Sequence, residues 1–167
     1  MAELYGKQKI LALLTERGIA YDMLEHPAVY TIEEMAQAGI TEKGTVCKNL
    51  FLRNAKGNVH YLVSVPEERQ IDLRVLAGKL GSTRLSFASP ERLQKYLGVA
   101  QGSVSPFGIL NDESKSVIMV FDKALLGDLA VGVHPNDNTA TLWLAFADLS
   151  EILAAHGNEI RLLSLGG

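Results

Sequence analysis

Three short stretches of the chain contain residue types that could act together on a carbonyl or a phosphate. Lys48 lies inside the apolar run 45–52, the segment 102–108 is rich in glycine, serine and proline, and His134 stands beside Pro135. An ammonium and main-chain N–H groups both stabilise negative charge, and a histidine can position or deprotonate a water near neutral pH. If the fold brings them together, the three stretches predict a cradle for an oxyanion or a phosphate.

Each stretch also has a simpler explanation. The segment 102–108 is equally typical of a surface turn, Lys48 could extend along a strand into solvent, and a lone histidine often only hydrogen-bonds in a turn. We further expect His60 on a strand surface, Asp112-Glu113 as a solvent-exposed turn, and Cys47 as a small buried apolar residue. Residue types alone leave both explanations open.

Several common catalytic and nucleotide-binding motifs are missing from the sequence. It contains no Gly-x-x-x-x-Gly-Lys-Ser/Thr loop, no Gly-x-Gly-x-x-Gly turn and no Gly-x-Ser-x-Gly elbow, and its histidines and single cysteine lack zinc-ligand spacing. We therefore expect no metal and no cofactor. No apolar run reaches the length of about eighteen residues needed to span a membrane, and the N-terminus lacks signal-peptide features. A cytoplasmic protein without a membrane partner is expected.

Charge is unevenly distributed along the chain. The net charge is −3, but residues 43–95 carry ten lysines and arginines against four acidic residues, a net of +6. A local basic surface can hold phosphate backbones whatever the overall charge, although it can equally be ordinary solvated surface. The mild overall acidity argues against indiscriminate nucleic-acid binding, and no DNA partner is expected.

Hydrophobic periodicity and turn residues divide the chain into short elements. We predict helices over 4–17, from the capping box Thr31-Ile-Glu-Glu34 to Gly39, over 72–80, from Ser89-Pro90 onward and over 148–155. We predict strands over 20–25, 46–53, 59–65, 85–88, 116–121, 129–134, 138–144 and 160–163. This irregular alternation predicts one α/β domain of the mixed α+β type over residues 1–167, with a mixed, largely antiparallel sheet and surrounding helices. In the strand 46–53, Val46, Lys48 and Leu50 share one face and Cys47 and Asn49 the other.

The same residues, in this order and spacing, resemble the YbaK/ProX superfamily. The resemblance is carried by Lys48-Asn-Leu-Phe-Leu52, Gly102-Ser-Val-Ser-Pro106-Phe-Gly-Ile-Leu110 and Gly132-Val-His134-Pro135-Asn136, and it covers nearly the whole chain. Members are free-standing relatives of the editing domain inserted in bacterial prolyl-tRNA synthetases. The pattern around His134 resembles the ProX branch, which deacylates alanine mischarged onto proline tRNA. The resemblance implies a compact mixed α/β fold, a cytosolic location and metal-free hydrolysis of an aminoacyl ester.

Within that resemblance we assign hypothetical roles to the candidate residues. Backbone amides of the segment 102–106 would stabilise the tetrahedral oxyanion, Lys48 would anchor the terminal adenosine or its phosphate, and the substrate's own ribose hydroxyl would help activate the water. The expected catalytic residues are Lys48, Gly102, Ser103 and His134. The expected substrate-binding residues are Met23, Thr31, Val46, Asn49, Leu50, Ser105, Pro106, Phe107 and Gly108. The expected tRNA-binding residues are Arg53, Lys56, Lys79 and Arg84.

Three functions stay open at this point. The expected one is removal of alanine from mischarged proline tRNA, because alanine is smaller than proline and a synthetase pocket shaped for proline cannot exclude it. The chain could instead remove cysteine, as the YbaK branch does, with a synthetase presenting the tRNA. It could also bind aminoacyl-tRNA or another effector without turnover. The expected partners are mischarged proline tRNA and prolyl-tRNA synthetase.

Overall fold

An eight-stranded mixed sheet is the framework of the protein, in residues 4–26 and 44–165, which the computed structural model describes. The strands are β1 Asp22–Glu25, β2 Thr45–Arg53, β3 His60–Pro66, β4 Ser86–Phe87, β5 Ile118–Asp122, β6 Val131–Val133, β7 Ala140–Leu144 and β8 Ile160–Leu163. The helices are α1 Lys7–Glu16, α2 Leu73–Leu80, α3 Pro90–Arg92 and α4 Phe146–His156. A π-helical turn, Leu93–Leu97, continues α3, and 3₁₀ turns span Pro106–Asn111 and Lys123–Leu125. The predicted capping box that begins at Thr31 lies outside the described residues.

The strands pair in the order β1-β7-β6-β2-β3-β5-β8, with β4 added beside β2. Pairs β2–β6, β3–β5 and β5–β8 are parallel, and the other pairings of the described strands are antiparallel. Strands β2 and β3, predicted over 46–53 and 59–65, form an antiparallel hairpin that is paired from Cys47–Pro66 to Arg53–His60. The predicted mixed sheet with surrounding helices is confirmed.

Apolar side chains on both faces of the sheet form the core. One face, which carries Phe51 and Phe121, packs against α1, α4 and the helical turns 93–97 and 106–111. The other face, which carries Leu52, packs against α2. Because both of its faces are covered, β3 is buried along its whole length and its sequence is a nearly continuous apolar run.

Polar side chains determine where several elements begin. Asp72 begins α2 by accepting a hydrogen bond from the backbone N–H of Arg74, as the sequence predicts. Strand β7 begins at Ala140 rather than at residue 138. The reason is a turn in which the backbone N–H and the hydroxyl of Thr139 both donate to Asp137.

Two positions predicted to be on the surface are buried instead. His60 is 3% exposed, and its ring stacks on Phe51 at a centroid distance of 5.5 Å. Asp112 is 2% exposed, and its carboxylate accepts hydrogen bonds from the Val117 backbone N–H and the Asn158 side chain. Polar groups tolerate burial when they are hydrogen-bonded, but partners distant in the sequence cannot be recognised from local polarity.

A gap between β6 and β4 opens beside the middle of β2. Strand β2 pairs with β6 only at Thr45 and Val46, and with β4 only at Leu52 and Arg53. Between these two pairings, β2 pairs with β3 alone among the described strands. The edge of β2 and side chains from both of its faces are therefore open to a ligand at this point.

Candidate active site

A cavity of about 410 Å³ lies at the gap beside β2. Strand β2 lines it with Val46, Cys47, Lys48, Asn49 and Phe51, the β4–α3 region with Phe87, Ala88, Pro90 and Leu93, the following loop with Gln101, Gly102 and Val104, and the β6–β7 hairpin with Gly132, Val133, His134 and Thr141. The three stretches singled out in the sequence thus meet at one cavity.

Lys48 and Gly102 reach the cavity from opposite faces of the sheet. Lys48 pairs with Val65, which places its side chain on the face covered by α2. Val104, two residues after Gly102, packs against the core on the other face. A continuous sheet would separate these groups, but the gap beside β2 allows both to line the same cavity.

Lys48 is half-buried in the middle of β2. Its neighbours on the same face are Val46, which is buried, and Leu50, which packs against the core beneath α2. Apolar neighbours of this kind hold the aliphatic part of a lysine side chain. The ammonium is therefore the polar group that Lys48 offers to the cavity.

Gly102 brings main-chain atoms of the loop 101–104 to the cavity, because it has no side chain. Gly102 has a backbone φ of +94°, in the left-handed region that favours glycine. The N–H of Ser103 donates to the carbonyl of Ala100 at 3.1 Å. Ser103 is half-buried and is not part of the cavity lining. The N–H groups of Gly102 and Val104 are therefore the candidates for holding an oxyanion.

The second half of the same segment anchors the loop in the core. Ser105 is buried, and its Oγ accepts a hydrogen bond from the backbone N–H of Phe107 at 3.1 Å. Pro106 and Phe107 are also buried, and a Cβ at Gly108 would lie 3.0 Å from the Cβ of Leu97. Ser105, Pro106, Phe107 and Gly108, all expected to bind substrate, lie behind the loop and do not line the cavity.

His134 offers a hydrogen-bond acceptor to the cavity. Its Nδ1 lies 2.8 Å from the carbonyl oxygen of Ala140, so Nδ1 carries a hydrogen and Nε2 of the neutral ring is the acceptor. Burial lowers the pKa of His134, the hydrogen bond to Ala140 opposes this effect, and the nearby ring of His26 reinforces it. The ring of His134 is therefore neutral near pH 7.

Asn49 offers a second acceptor. It lines the cavity, and its Oδ1 is buried without a hydrogen-bond partner in the described part of the chain. A buried amide oxygen without a hydrogen-bond partner is energetically unfavourable, so a ligand or a water commonly donates to such an atom. The Oδ1 of Asn49 marks a place where an ammonium or a hydroxyl group could donate.

The remaining predicted substrate-binding residues are more dispersed. Val46 lines the cavity. Met23 packs against the core on one face of the sheet and Leu50 on the other, and neither lines the cavity. Thr31 lies outside the described residues.

Three of the predicted tRNA-binding residues surround the turn of the β2–β3 hairpin. Arg53 ends β2, Lys56 lies in the turn, and Arg84 is close by because a hydrogen bond joins the turn to the residue before it. Lys79 lies in the last turn of α2, and its ammonium donates to the backbone carbonyl of Ser164. Arg53, Lys56 and Arg84 form what we call the basic edge.

Several cavity residues escape prediction from the sequence. Phe87 lies in the strand predicted over 85–88, but only the pairing of that strand with β2 places it at the cavity. Thr141 likewise faces the cavity because of pairings between distant strands. Cys47 also lines the cavity, but burial raises the pKa of its thiol to about 12. The thiol therefore stays protonated and is a poor nucleophile, in agreement with the apolar role predicted for it.

An aromatic cluster supports one wall of the cavity. Phe51, in the lining, stacks on His60, and His60 in turn contacts the ring of Tyr96 at a centroid distance of 4.3 Å. A guanidinium N–H of Arg92 donates to Nε2 of His60 at 2.8 Å, and burial together with the charge of Arg92 lowers the pKa of His60 to about 4. This neutral histidine fastens α3, and with it the adjoining cavity wall, to the β2–β3 hairpin.

The polar lining of the cavity includes Lys48, Asn49 and His134, and Gly102, which has no side chain, adds main-chain atoms. Within residues 4–26 and 44–165, no three His, Cys, Asp or Glu side chains are placed to share a metal ion. None of the helices described in that part of the chain combines the length and apolar character needed to cross a membrane.

Comparison with known proteins identifies the family. The model of the aminoacyl-tRNA editing domain matches residues 26–152. The prolyl-tRNA editing protein ProX of Acetoanaerobium sticklandii is 52% identical over 160 residues, which cover 96% of this chain and 98% of that protein. The mouse prolyl-tRNA synthetase associated domain-containing protein 1 is 36% identical over 98% of this chain and 95% of its own. A crystal structure described as a candidate trans-editing enzyme for prolyl-tRNA synthetase superposes with a TM-score of 0.72 at 27% identity, covering 99% of each chain. The chain belongs to the aminoacyl-tRNA editing domain family.

Proposed function

We propose that this protein is a free-standing editing deacylase that hydrolyses the ester between alanine and mischarged proline tRNA. Membership of the editing family and the similarity to a ProX protein support removal of a wrong amino acid from proline tRNA. The observation that carries the chemistry is the convergence of Lys48, Gly102 and His134 on one cavity. Together they supply an ammonium, main-chain donors and an acceptor nitrogen, which suit an aminoacyl ester and its tetrahedral intermediate.

The ester carbonyl fits against the loop 101–104. As water adds to the carbonyl carbon, the charge that develops on the oxygen is stabilised by the N–H groups of Gly102 and Val104. The intermediate then collapses with cleavage of the bond from carbon to the ribose oxygen, which leaves with a proton derived from the water. The hydrogen bond from the Phe107 N–H to Ser105 holds the loop in place, so the donors need no rearrangement during the reaction.

The α-ammonium group of the amino acid fits near Asn49 and His134. The Oδ1 of Asn49 and the Nε2 of neutral His134 are both hydrogen-bond acceptors, and neither group carries a positive charge that would repel the ammonium. A ligand ammonium would also satisfy the buried oxygen of Asn49. This placement turns the reacting carbonyl toward the loop.

Lys48 fits the nucleotide end of the substrate. Its ammonium approaches from the face opposite the loop and can donate to the terminal ribose or its phosphate. The ester is then held between Lys48 and the loop, which is the positioning that hydrolysis requires. The free ribose hydroxyl of the substrate assists the attacking water, so the proposal needs no strong protein base.

Selection for alanine follows from the size of the cavity. A volume of about 410 Å³ has to hold the ribose end as well as the amino acid, and Val46, Val104 and Val133 form apolar walls. The small side chain of alanine fits such a site better than the pyrrolidine ring of proline. This is the second sieve that a synthetase needs when its first site cannot exclude a smaller amino acid.

The test is deacylation of alanyl-, cysteinyl- and prolyl-tRNA, all carrying the proline anticodon, by the purified protein. We expect alanine to be released about 100-fold faster than proline, because size exclusion of one ring is worth about that much. Lys48→Ala should lower the single-turnover rate by about 100-fold or more through lost positioning. Lys123→Ala removes the same charge from an exposed position outside the cavity and is the matched control.

Each outcome of this assay has a distinct meaning. No release of any amino acid by the wild-type protein contradicts the deacylase proposal and leaves a binding module. Release of cysteine but not alanine contradicts only the choice of amino acid. A full rate in Lys48→Ala, with the fold intact by circular dichroism, removes Lys48 from the mechanism.

We propose that the protein acts in the cytoplasm, where proline tRNA is charged. The basic edge would contact phosphates of the tRNA. Prolyl-tRNA synthetase is a proposed partner that could present the tRNA. Addition of the synthetase to the deacylation assay should raise the rate if the two proteins cooperate, and an unchanged rate would contradict the partnership.

A further inference from the structure

Phe87 is an exposed aromatic side chain at the rim of the candidate active site. It lies on the short edge strand β4, is 63% exposed, and contributes to the cavity lining. Two other apolar lining residues, Phe51 and Leu93, are buried, so exposure is not a general property of this wall. The flat face of a phenyl ring beside a cavity can stack on a planar ligand.

The pairing of β4 with β2 fixes where this ring stands relative to Lys48. Phe87 pairs with Leu52, and paired residues of antiparallel strands project from the same face. Lys48 is on that face as well, and four residues of strand separate it from Leu52 by about 13 Å. Phe87 and Lys48 therefore flank the cavity with a space between them that suits a nucleoside.

The basic edge continues outward from Phe87. The preceding residue, Ser86, pairs with Arg53, and Arg84 lies just before β4. The segment 82–90 contains no acidic residue. A nucleotide chain that leaves the cavity past Phe87 would therefore have its phosphates next to positive charge.

We infer that Phe87 stacks on the adenine of the 3′-terminal nucleotide of the tRNA and so places the aminoacyl ester between Lys48 and the loop 101–104. The inference rests on the proposed deacylase function, which brings a tRNA 3′ end to this cavity. Stacking of a base on an aromatic ring requires no hydrogen-bonded recognition, and it suits a terminal base that every substrate tRNA shares. Phe87 thus stabilises the bound substrate and the transition state by the same free energy, so it affects KM and not kcat.

Binding of a non-hydrolysable nucleoside tests the stacking directly. The probe is 3′-alanylamino-3′-deoxyadenosine, in which an amide replaces the ester, and its counterpart lacks the base. In Phe87→Trp, the fluorescence of the new tryptophan should be quenched by the probe and not by the base-free counterpart. The wild-type protein, whose single tryptophan is the buried Trp143, gives the background signal. Leu129→Trp introduces a tryptophan at another exposed position, outside the cavity, and should not respond.

Kinetics supply the second measurement. Phe87→Ala should raise KM for alanyl-tRNA about 10-fold with kcat unchanged. A 10-fold loss of affinity lies within the range usual for one base stacked on an aromatic ring. Phe87→Tyr keeps an aromatic face and should restore KM. An alanyl ester of ribose without a base should be hydrolysed equally by the wild type and Phe87→Ala, because it has nothing to stack.

The results separate this inference from the proposed function. If the wild-type protein releases alanine but Phe87→Ala has an unchanged KM and Phe87→Trp shows no quenching, the stacking inference is wrong and the deacylase function stands. If the wild type neither releases alanine nor binds the probe, both are wrong. Equal quenching by the base-free counterpart would show that the adenine is not the group in contact, and would also overturn the inference.

Discussion

The two halves of the segment 101–108 have the same kinds of residues and opposite environments. In the first half, Gly102 and Val104 line the cavity, and Gly102, which has no side chain, does so with main-chain atoms. In the second half, Ser105 and Phe107 are buried, and Gly108 is in close contact with a core side chain. Each half contains a glycine and a serine, so composition does not separate the half that meets the ligand from the half that holds it.

The comparison shows how a cradle of backbone N–H groups is kept rigid. Main-chain donors stabilise a developing charge only if they already point at it, because a mobile loop would have to be ordered first. Here the ordering comes from the 3₁₀ turn Pro106–Asn111, whose residues 106–110 are buried, and from the Ser105 cap at its start. Substitutions in the second half should therefore change stability, and substitutions in the first half should change the rate.

The largest expected effect is a loss of stability on substitution in the buried second half of the segment. Phe107→Ala should lower the free energy of unfolding by about 4 kcal/mol, because it leaves a cavity where a fully buried ring was packed. Urea denaturation measures the loss. Phe87→Ala, the same truncation at an exposed position, is the control and should change the unfolding free energy by less than about 0.5 kcal/mol. Similar losses in the two variants would show that the second half is not an anchor.

The two glycines give the next largest effect and the clearest contrast. Gly102→Ala strains a backbone with φ of +94° and shifts the adjoining N–H groups, so the single-turnover rate of alanine release should fall about 100-fold, or about 2.7 kcal/mol. Gly108→Ala should instead cost about 1 kcal/mol of stability, because its Cβ would lie 3.0 Å from the Cβ of Leu97. The folded fraction of Gly108→Ala should release alanine at the normal rate. A rate loss in Gly108→Ala as large as that in Gly102→Ala would contradict the division of the segment.

Much of the fold could be predicted from the sequence because its signals are local. The cap at Asp72, the β2–β3 hairpin and the alternating faces of β2 each depend on residues close together in the chain. The sequence also singled out Lys48, Gly102 and His134, three of the groups that meet at the cavity.

Features that depend on contacts between distant segments could not be predicted in the same way. The gap beside β2 exists because β6 and β4 pair with different ends of that strand. The residues of β2 alone do not indicate at which position each of these pairings ends. The burial of His60 depends on Arg92, and the burial of the second half of the segment depends on side chains such as Leu97. Phe87 was missed for the same reason, since only the register with β2 places it at the cavity rim.

The smallest expected effect separates the two serines of the segment. Ser105→Ala removes the oxygen that accepts from the Phe107 backbone, leaves a buried N–H unpaired, and should cost about 1 kcal/mol of stability with a normal rate of hydrolysis. Ser103→Ala should change neither the stability nor the rate, because the proposed oxyanion donors are main-chain groups of its neighbours. Urea denaturation and single-turnover deacylation measure both variants. A large rate loss in Ser103→Ala would mean that its hydroxyl takes part in the chemistry, and the cradle would then have to include a side chain as well as the backbone.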